Sequence, residues 1–312
     1  MRKFSTYLSN IPLLAAIASI LWVFDGVLLR AVSPSVHPLT IVFYQLLVAT
    51  ILIIPVAGYS IFKEKPTVKE MSILAIFSLL SGPISMGLFT FALFQTSTTS
   101  FTSIYILQKL QPLFAIFFIW IAVRRKFHPK FFGYALLTLT GAFLMIAGQS
   151  IVSGQWQFTS LEGGLAAFAA VLISGISAIF SLAALKENSH QFVTISQFFF
   201  GALFSLIGIL LFSHQPLSQA LFLPHVKDSV LVISLGICIT LISFIIYFRA
   251  LQDISKLNTV FLELLYPALA LVIDLAIYHH APNFLELFGM GTVVFAIIKI
   301  NRLHNFTDLK EI

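Results

Sequence analysis

A lysine in the middle of an apolar stretch of spanning length is the residue best placed to do chemistry in this 312-residue chain. Lys109 stands between Gln108 and Gln111, with Tyr105 one helical turn before it. A charge inside hydrocarbon costs several kcal/mol or more unless it is paired or hydrated, so such a residue must face protein or water. A cation there can anchor a carboxylate or phosphate on a small molecule. It can equally hold a second helix through an ion pair. Two carboxylates could be its partner: Glu263, with Tyr266 three residues further on, and Asp25. Either could also take up a proton and act as a coupling or gating group. Residues three or four apart share a helical face, so Tyr105 faces with Lys109 and Tyr266 with Glu263. Each half of the chain then places one tyrosine beside one charge. Tyr44, Gln45, Gln95, Gln197 and Tyr247 are further polar candidates for lining a cavity.

The elements that must position these side chains are legible from hydropathy. The chain is 59% hydrophobic and only 10% charged, far below the roughly 25% charged residues of a soluble domain. Apolar runs of spanning length fall at about 11–30, 39–57, 71–94, 97–120, 131–149, 163–184, 192–212, 229–248, 256–278 and 284–300. A helix satisfies its own backbone hydrogen bonds in lipid, so all ten are predicted helical. Gly82-Pro83 predicts a kink in the third, and Asn283 with Glu286 a capping box opening the tenth. Asp274 and Arg249 lie near helix ends and are expected to reach the headgroups. Thr96 to Ser100 reads as a cap on the fourth helix, placing Lys109 roughly 18 Å from its start.

Of the 18 Lys and Arg residues, fifteen fall on the side of the two termini. Arg30 and Lys227 fall on the other, and Lys109 lies within a span. This asymmetry puts both termini in the cytoplasm of a multi-pass protein, with a bacterial cytoplasmic (inner) membrane as the expected location. The net charge of +6 comes from residues dispersed in short connections, which orients helices and makes no nucleic-acid-binding face. Cys238 is the only cysteine, so no intramolecular disulfide or cysteine-built metal site can form. Neither H-E-x-x-H nor a pair of intramembrane aspartates is present, which disfavours an intramembrane enzyme. The eight histidines lie near loops or tails. No GxxxxGK[ST] loop is present, so ATP is not the direct energy source. No cofactor, metal or nucleic acid is expected. The expected partners are a small-molecule substrate and membrane lipid, and a homodimer is compatible with the sequence.

The halves also repeat. Gln108-Lys109-Leu110-Gln111-Pro112 in the fourth run answers Glu263-Leu264-Leu265-Tyr266-Pro267 in the ninth. Pro112 and Pro267 are 155 residues apart, and Gly133 and Gly289 are 156 apart. Five helices per half is an odd number, so residues 151–312 must sit upside down relative to residues 1–150. The expected fold is therefore an all-α integral membrane protein of ten transmembrane helices in a 5+5 inverted repeat. With Trp22 in the first helix and Gly141 to Ile146 closing the fifth, the chain resembles EamA-type members of the drug/metabolite transporter superfamily. Arg124-Arg125-Lys126, Tyr278-His279-His280 and Tyr44-Gln45 depart from the common family pattern. The resemblance implies a central cavity built from helices 1–4 and 6–9, braced by helices 5 and 10. It implies a secondary active transporter working by alternating access. A lysine facing carboxylates suits a small polar or zwitterionic metabolite, such as an amino acid or a derivative. Export of hydrophobic amines or drugs is the alternative. Lys109, Tyr105, Gln108, Gln111, Glu263, Tyr266, Tyr44 and Trp22 are the expected substrate contacts. Glu263 and Asp25 are the expected coupling groups.

Overall fold

The computed structural model describes residues 11–95, 100–123, 130–154, 161–213, 215–243 and 268–303. Among these there is helix and no strand. The helical segments are α1 (Ile11–Ala31), α2 (Pro38–Lys63), α3 (Val68–Phe94) and α4 (residues 101–123). Then follow α5 (Lys130–Ser153), α6 (Glu162–Glu187) and α7 (His190–Phe212). The last are α8 (residues 226–242), α9 (residues 268–276) and α10 (Phe284–Leu303). Five of them (the first part of α2, and α3, α5, α6 and α7) are long and apolar enough by themselves to cross a membrane. The molecule is an all-α, multi-pass membrane protein with five helices in each of two inverted repeats.

The ends are closed by local chemistry. The predicted capping box is present: Asn283 N donates to Glu286 Oε2 at 3.2 Å and Glu286 N to Asn283 Oδ1 at 2.9 Å. Thr67 and Glu70 form another at the start of α3. Each satisfies amide groups that an isolated helix start leaves open. At the start of α2, His37 Nδ1 accepts from Leu39 N at 3.2 Å. Burial pushes the His37 pKa below its ordinary value, in keeping with a ring that must stay neutral to accept. The cap is therefore fully present above pH ~6.5 and is lost as pH falls through the lowered folded value. We expect the melting temperature to carry this small acid-side loss and His37→Asn, which caps at any pH, to remove it.

The repeat is clearest in an irregularity. Leu80–Met86 in α3 is a π-helical turn, where Gly82-Pro83 predicts a kink. Leu235–Ile242 in α8 is also π-helical, although it contains no proline. The two segments start 155 residues apart, the spacing of the proline pair. Serines 156 residues apart behave alike as well. Ser33 N, after α1, donates to Asp228 Oδ1 at the start of α8, at 3.0 Å. Ser189 N, after α6, donates to Glu64 Oε1 just before α3, at 3.2 Å. In each case the turn after a repeat's first helix is tied to the beginning of the other repeat's third helix.

Helices α5 and α10 pack against each other through glycine. A Cβ on Gly289 would lie 2.6 Å from Gly141 O, and one on Gly141 would lie 2.8 Å from Gly289 O. Small residues let spanning helices approach this closely. Gly289→Val should force the pair apart and destabilise by about 2–4 kcal/mol. Gly291, two residues on, has open space around it. Gly291→Ala should be neutral or stabilising by up to about 1 kcal/mol. Thermal melts of both variants in detergent check the contrast.

Candidate functional site

Why α4 breaks at Lys109 follows from its sequence. Pro112 has no N–H and cannot donate to Gln108 O. Gln111 N donates to Gln108 O instead, and Gln108–Leu110 tightens into a 3-10 turn between Phe101–Leu107 and the helix from Gln111. Lys109 thus sits on an irregular turn inside the bundle, half-buried, as is Gln108, whereas Gln111 is exposed. Helix α4 begins at Phe101 with Ser100 as its cap: Ser100 Oγ accepts from Ser103 N at 3.0 Å. Lys109 is therefore only about 12 Å along the helix, nearer that end than a helix starting at 97 would place it. Residues 96–99 lie outside the described residues.

Tyr105 is fully buried and stacks on Phe101 with centroids 4.5 Å apart. Its hydroxyl donates to Trp22 O on α1 at 3.1 Å. A side chain on Gly26 would collide with that hydroxyl. The stretch of α1 from Trp22 to Gly26, which includes Asp25, therefore packs on α4 one turn from Lys109. Asp25 is half-buried, and its Oδ1 accepts from Gln45 Nε2 of α2 at 3.3 Å. Tyr44, the neighbour of Gln45, turns to the other side: its hydroxyl donates to Leu221 O at 3.0 Å. Tyr44 also lines a cavity of about 500 Å³, largely apolar, with Val48, Ser218, Phe222, Ser229 and Val232 among the other walls. Tyr105 is thus tied to Trp22 and Asp25 to Gln45 through the same stretch of α1, with Tyr105 one helical turn before Lys109, and Tyr44 faces away from this group. Glu263, Tyr266, Tyr247 and Arg249 lie outside the described residues. Lys109 and Gln108 make interactions within the fold.

The end of the bundle where α1 finishes carries groups that hydropathy alone did not pick out. Asp274 on α9, expected to reach the headgroups, is instead fully buried. Its Oδ2 accepts from Thr102 N at 2.9 Å and Thr102 Oγ1 at 2.8 Å. The carboxyl caps the start of α4, which ties it to protein and draws it away from lipid. His280 Nδ1 stands 3.8 Å from the same oxygen. Arg30 lies over the rings of Phe101 (5.1 Å) and Tyr278 (4.6 Å), and its Nε donates to Leu93 O at 3.1 Å. A guanidinium over aromatic faces contributes roughly 0.5–2 kcal/mol per ring. Burial raises the pKa of the Tyr278 phenol, and the nearby Arg30 charge acts against that rise. Helices α1, α3, α4 and α9 are latched together here. An isolated Arg at the end of an apolar run reads as an orienting charge, so nothing in the sequence singled it out.

In the other repeat, Gln197 Nε2 on α7 donates to Ser81 Oγ in the π-turn of α3 at 3.3 Å. The Ser85 and Ser174 hydroxyls hydrogen-bond across α3 and α6, and Ser85 Oγ also donates to Ala170 O at 3.0 Å. The signal for these serines was weak, because Ser is common wherever membrane helices approach closely.

Comparison with known proteins agrees with this architecture. The model of a family described as EamA-like transporter family matches twice, over residues 10–147 and 161–302. An uncharacterized transporter of Clostridium kluyveri is 22% identical over 281 residues, covering 89% of this chain and 88% of its own. The riboflavin transporter ImpX of Fusobacterium nucleatum is 25% identical over 181 residues, 57% of this chain and 60% of its own. A solved crystal structure shares the fold with a TM-score of 0.59 at 17% identity, covering 95% of this chain and 98% of that one.

Proposed function

Since the chain belongs to the EamA-like transporter family, and is an integral membrane transporter of a small molecule rather than an enzyme, we propose the following mode of action. It is a secondary active carrier of a polar or zwitterionic metabolite, such as an amino acid or a derivative, working by alternating access. One observation supports this most directly. The Trp22–Gly26 stretch of α1, with Asp25, packs on Tyr105 one turn from Lys109, which rides on the broken turn of α4. Opposite charges on neighbouring helices near mid-span suit a substrate that carries both signs. In this reading Lys109, with Gln108, holds a carboxylate. Tyr105 positions α1 against α4. Gln111, Trp22 and Tyr266 complete the substrate contacts, while Tyr44, on the other side of α2, lines the separate apolar cavity. Both termini face the cytoplasm of a bacterial inner membrane, and the Arg30 latch closes the opposite side.

The screening experiment is thermal stability in detergent against amino acids, nucleosides, organic acids, phosphorylated metabolites and riboflavin. Riboflavin is included because one relative is named for it. A ligand that binds the folded carrier stabilises it by about 2.7 kcal/mol at a hundredfold excess over Kd. A shift present in wild type and lost in Lys109→Ala supports the reading. No shift with any polar compound counts against it. A response to hydrophobic amines alone favours the second reading, export of such compounds, which the apolar cavity beside Tyr44 supports. Proton coupling is tested separately. Glu263→Gln should flatten the pH dependence of uptake; an unchanged profile moves the coupling role to Asp25.

A further inference from the structure

Two glutamines occupy related places in the two repeats. Gln45 is on α2, the second helix of its repeat, and its backbone oxygen lies 3.0 Å from where a Cβ on Gly236 would sit in the π-turn of α8. Gln197 is on α7, the second helix of the other repeat, and bonds Ser81 in the π-turn of α3. Both side chains are buried, 2% and 6% exposed. Each gives its amide nitrogen to a partner, Asp25 or Ser81. Each carboxamide oxygen is buried and accepts from no group among the described residues.

The two lie at one level of the bundle. Leu46 Cδ1 is 3.4 Å from where a Cβ on Gly82 would be, and 2.8 Å from one on Gly201. Gln45 adjoins Leu46, Ser81 adjoins Gly82, and Gln197 is one helical turn before Gly201. All three therefore fall within a turn of one three-helix crossing. A buried acceptor left unpaired costs roughly 1–3 kcal/mol. Leu or Met would fill the same space without that cost, so two such oxygens, one on the second helix of each repeat, need a reason.

We propose that Gln45 and Gln197 are the paired hydrogen-bond acceptors of the substrate site, one from each repeat, and that the substrate carries N–H or O–H donors for both. This rests on the carrier reading above and narrows it. Asp25, beside Gln45, is a further acceptor, so this level of the bundle presents oxygen atoms from both repeats. A bare anion such as sulfate or an ionised dicarboxylate offers only acceptors in return and is excluded. An amino-bearing or polyhydroxylated metabolite fits, with Lys109 taking any carboxylate it also has.

The test uses proteoliposomes of the full chain and four labelled probes: an amino-acid mixture, riboflavin, sulfate and succinate. Wild type should take up at least one of the first two and neither of the others. Gln45→Met and Gln197→Met should each raise the KM for the transported probe about fivefold or more, with melting temperatures close to wild type. Uptake of sulfate or succinate, or an unchanged KM in both variants, overturns the proposal while leaving the carrier reading intact. Uptake of none of the four removes the carrier reading, and this inference with it. Should a Met variant not fold, the corresponding Glu variant replaces it, retaining an acceptor and adding charge. A shift of competition towards lysine over serine then supports the proposal, and unchanged competition overturns it.

Discussion

Lys109→Ala abolishes uptake in proteoliposomes, by at least about a hundredfold in kcat/KM, while the protein still inserts and purifies in normal yield. The size follows from the setting. Removing one partner of a charge pair out of water costs about 3–5 kcal/mol, and each 1.4 kcal/mol is a factor of ten. Lys109 is half-buried on a turn that Pro112 prevents from being regular helix. Lys109→Arg keeps the charge but not the shape, and should retain a small fraction of the rate. Lys109 also interacts within the fold, so a melting curve accompanies each uptake measurement. A variant that melts like wild type and does not transport isolates the substrate role. A variant that transports at the wild-type rate ends it.

The second large effect is on stability. Asp274→Ala leaves Thr102 N–H and Thr102 Oγ1 without their acceptor in a buried place. It also removes the tie between α9 and the start of α4. Loss of a buried acceptor with two donors should cost about 2–4 kcal/mol, read as a fall in melting temperature of roughly 5–10 °C. Asp274→Asn keeps one oxygen for Thr102 N and should lose about half as much. A melting temperature unchanged in both variants would mean that Ser100 alone caps α4. If Arg30 and Asp274 belong to one latch, Arg30→Ala should lower the melting temperature too, by a smaller amount, since its contacts are to ring faces and one carbonyl.

The elements were readable from sequence because spanning helices leave a strong signal. A run of about 20 apolar residues is hard to mistake, and α1, α3, α5, α6, α7 and α10 begin and end within four residues of the hydropathic runs. Glu286 was readable because a capping box is local, with both partners three residues apart. The repeat was visible through Pro112 and Pro267, while its firmer sign, the paired π-turns, was half hidden. Gly82-Pro83 marks the first, whereas Leu235–Ile242 has no proline and only Gly236, which packs closely on Val48 and Gln45 O of α2. Asp274 shows the other limit. Its distance from a helix end suggested headgroups, whereas a contact 172 residues away in sequence holds it inside. Pairings of that kind, like Ser33 with Asp228 or Gln197 with Ser81, have no periodicity to announce them. Tyr105 precedes Lys109 by four residues, and helical spacing alone puts them on one side of α4. That its hydroxyl would be taken by Trp22 O could not be foreseen without α1 in place.

A carrier that exposes one donor-binding site to each side of the membrane in turn must exchange its substrate across the bilayer. The most direct measurement is counterflow in proteoliposomes. Vesicles are loaded with an unlabelled compound found to stabilise the protein, diluted, and supplied with a trace of the same compound labelled outside. An alternating-access carrier gives saturable uptake that overshoots equilibrium and is accelerated by the internal pool, absent in Lys109→Ala. Flux that rises linearly with concentration and ignores the internal pool would contradict it.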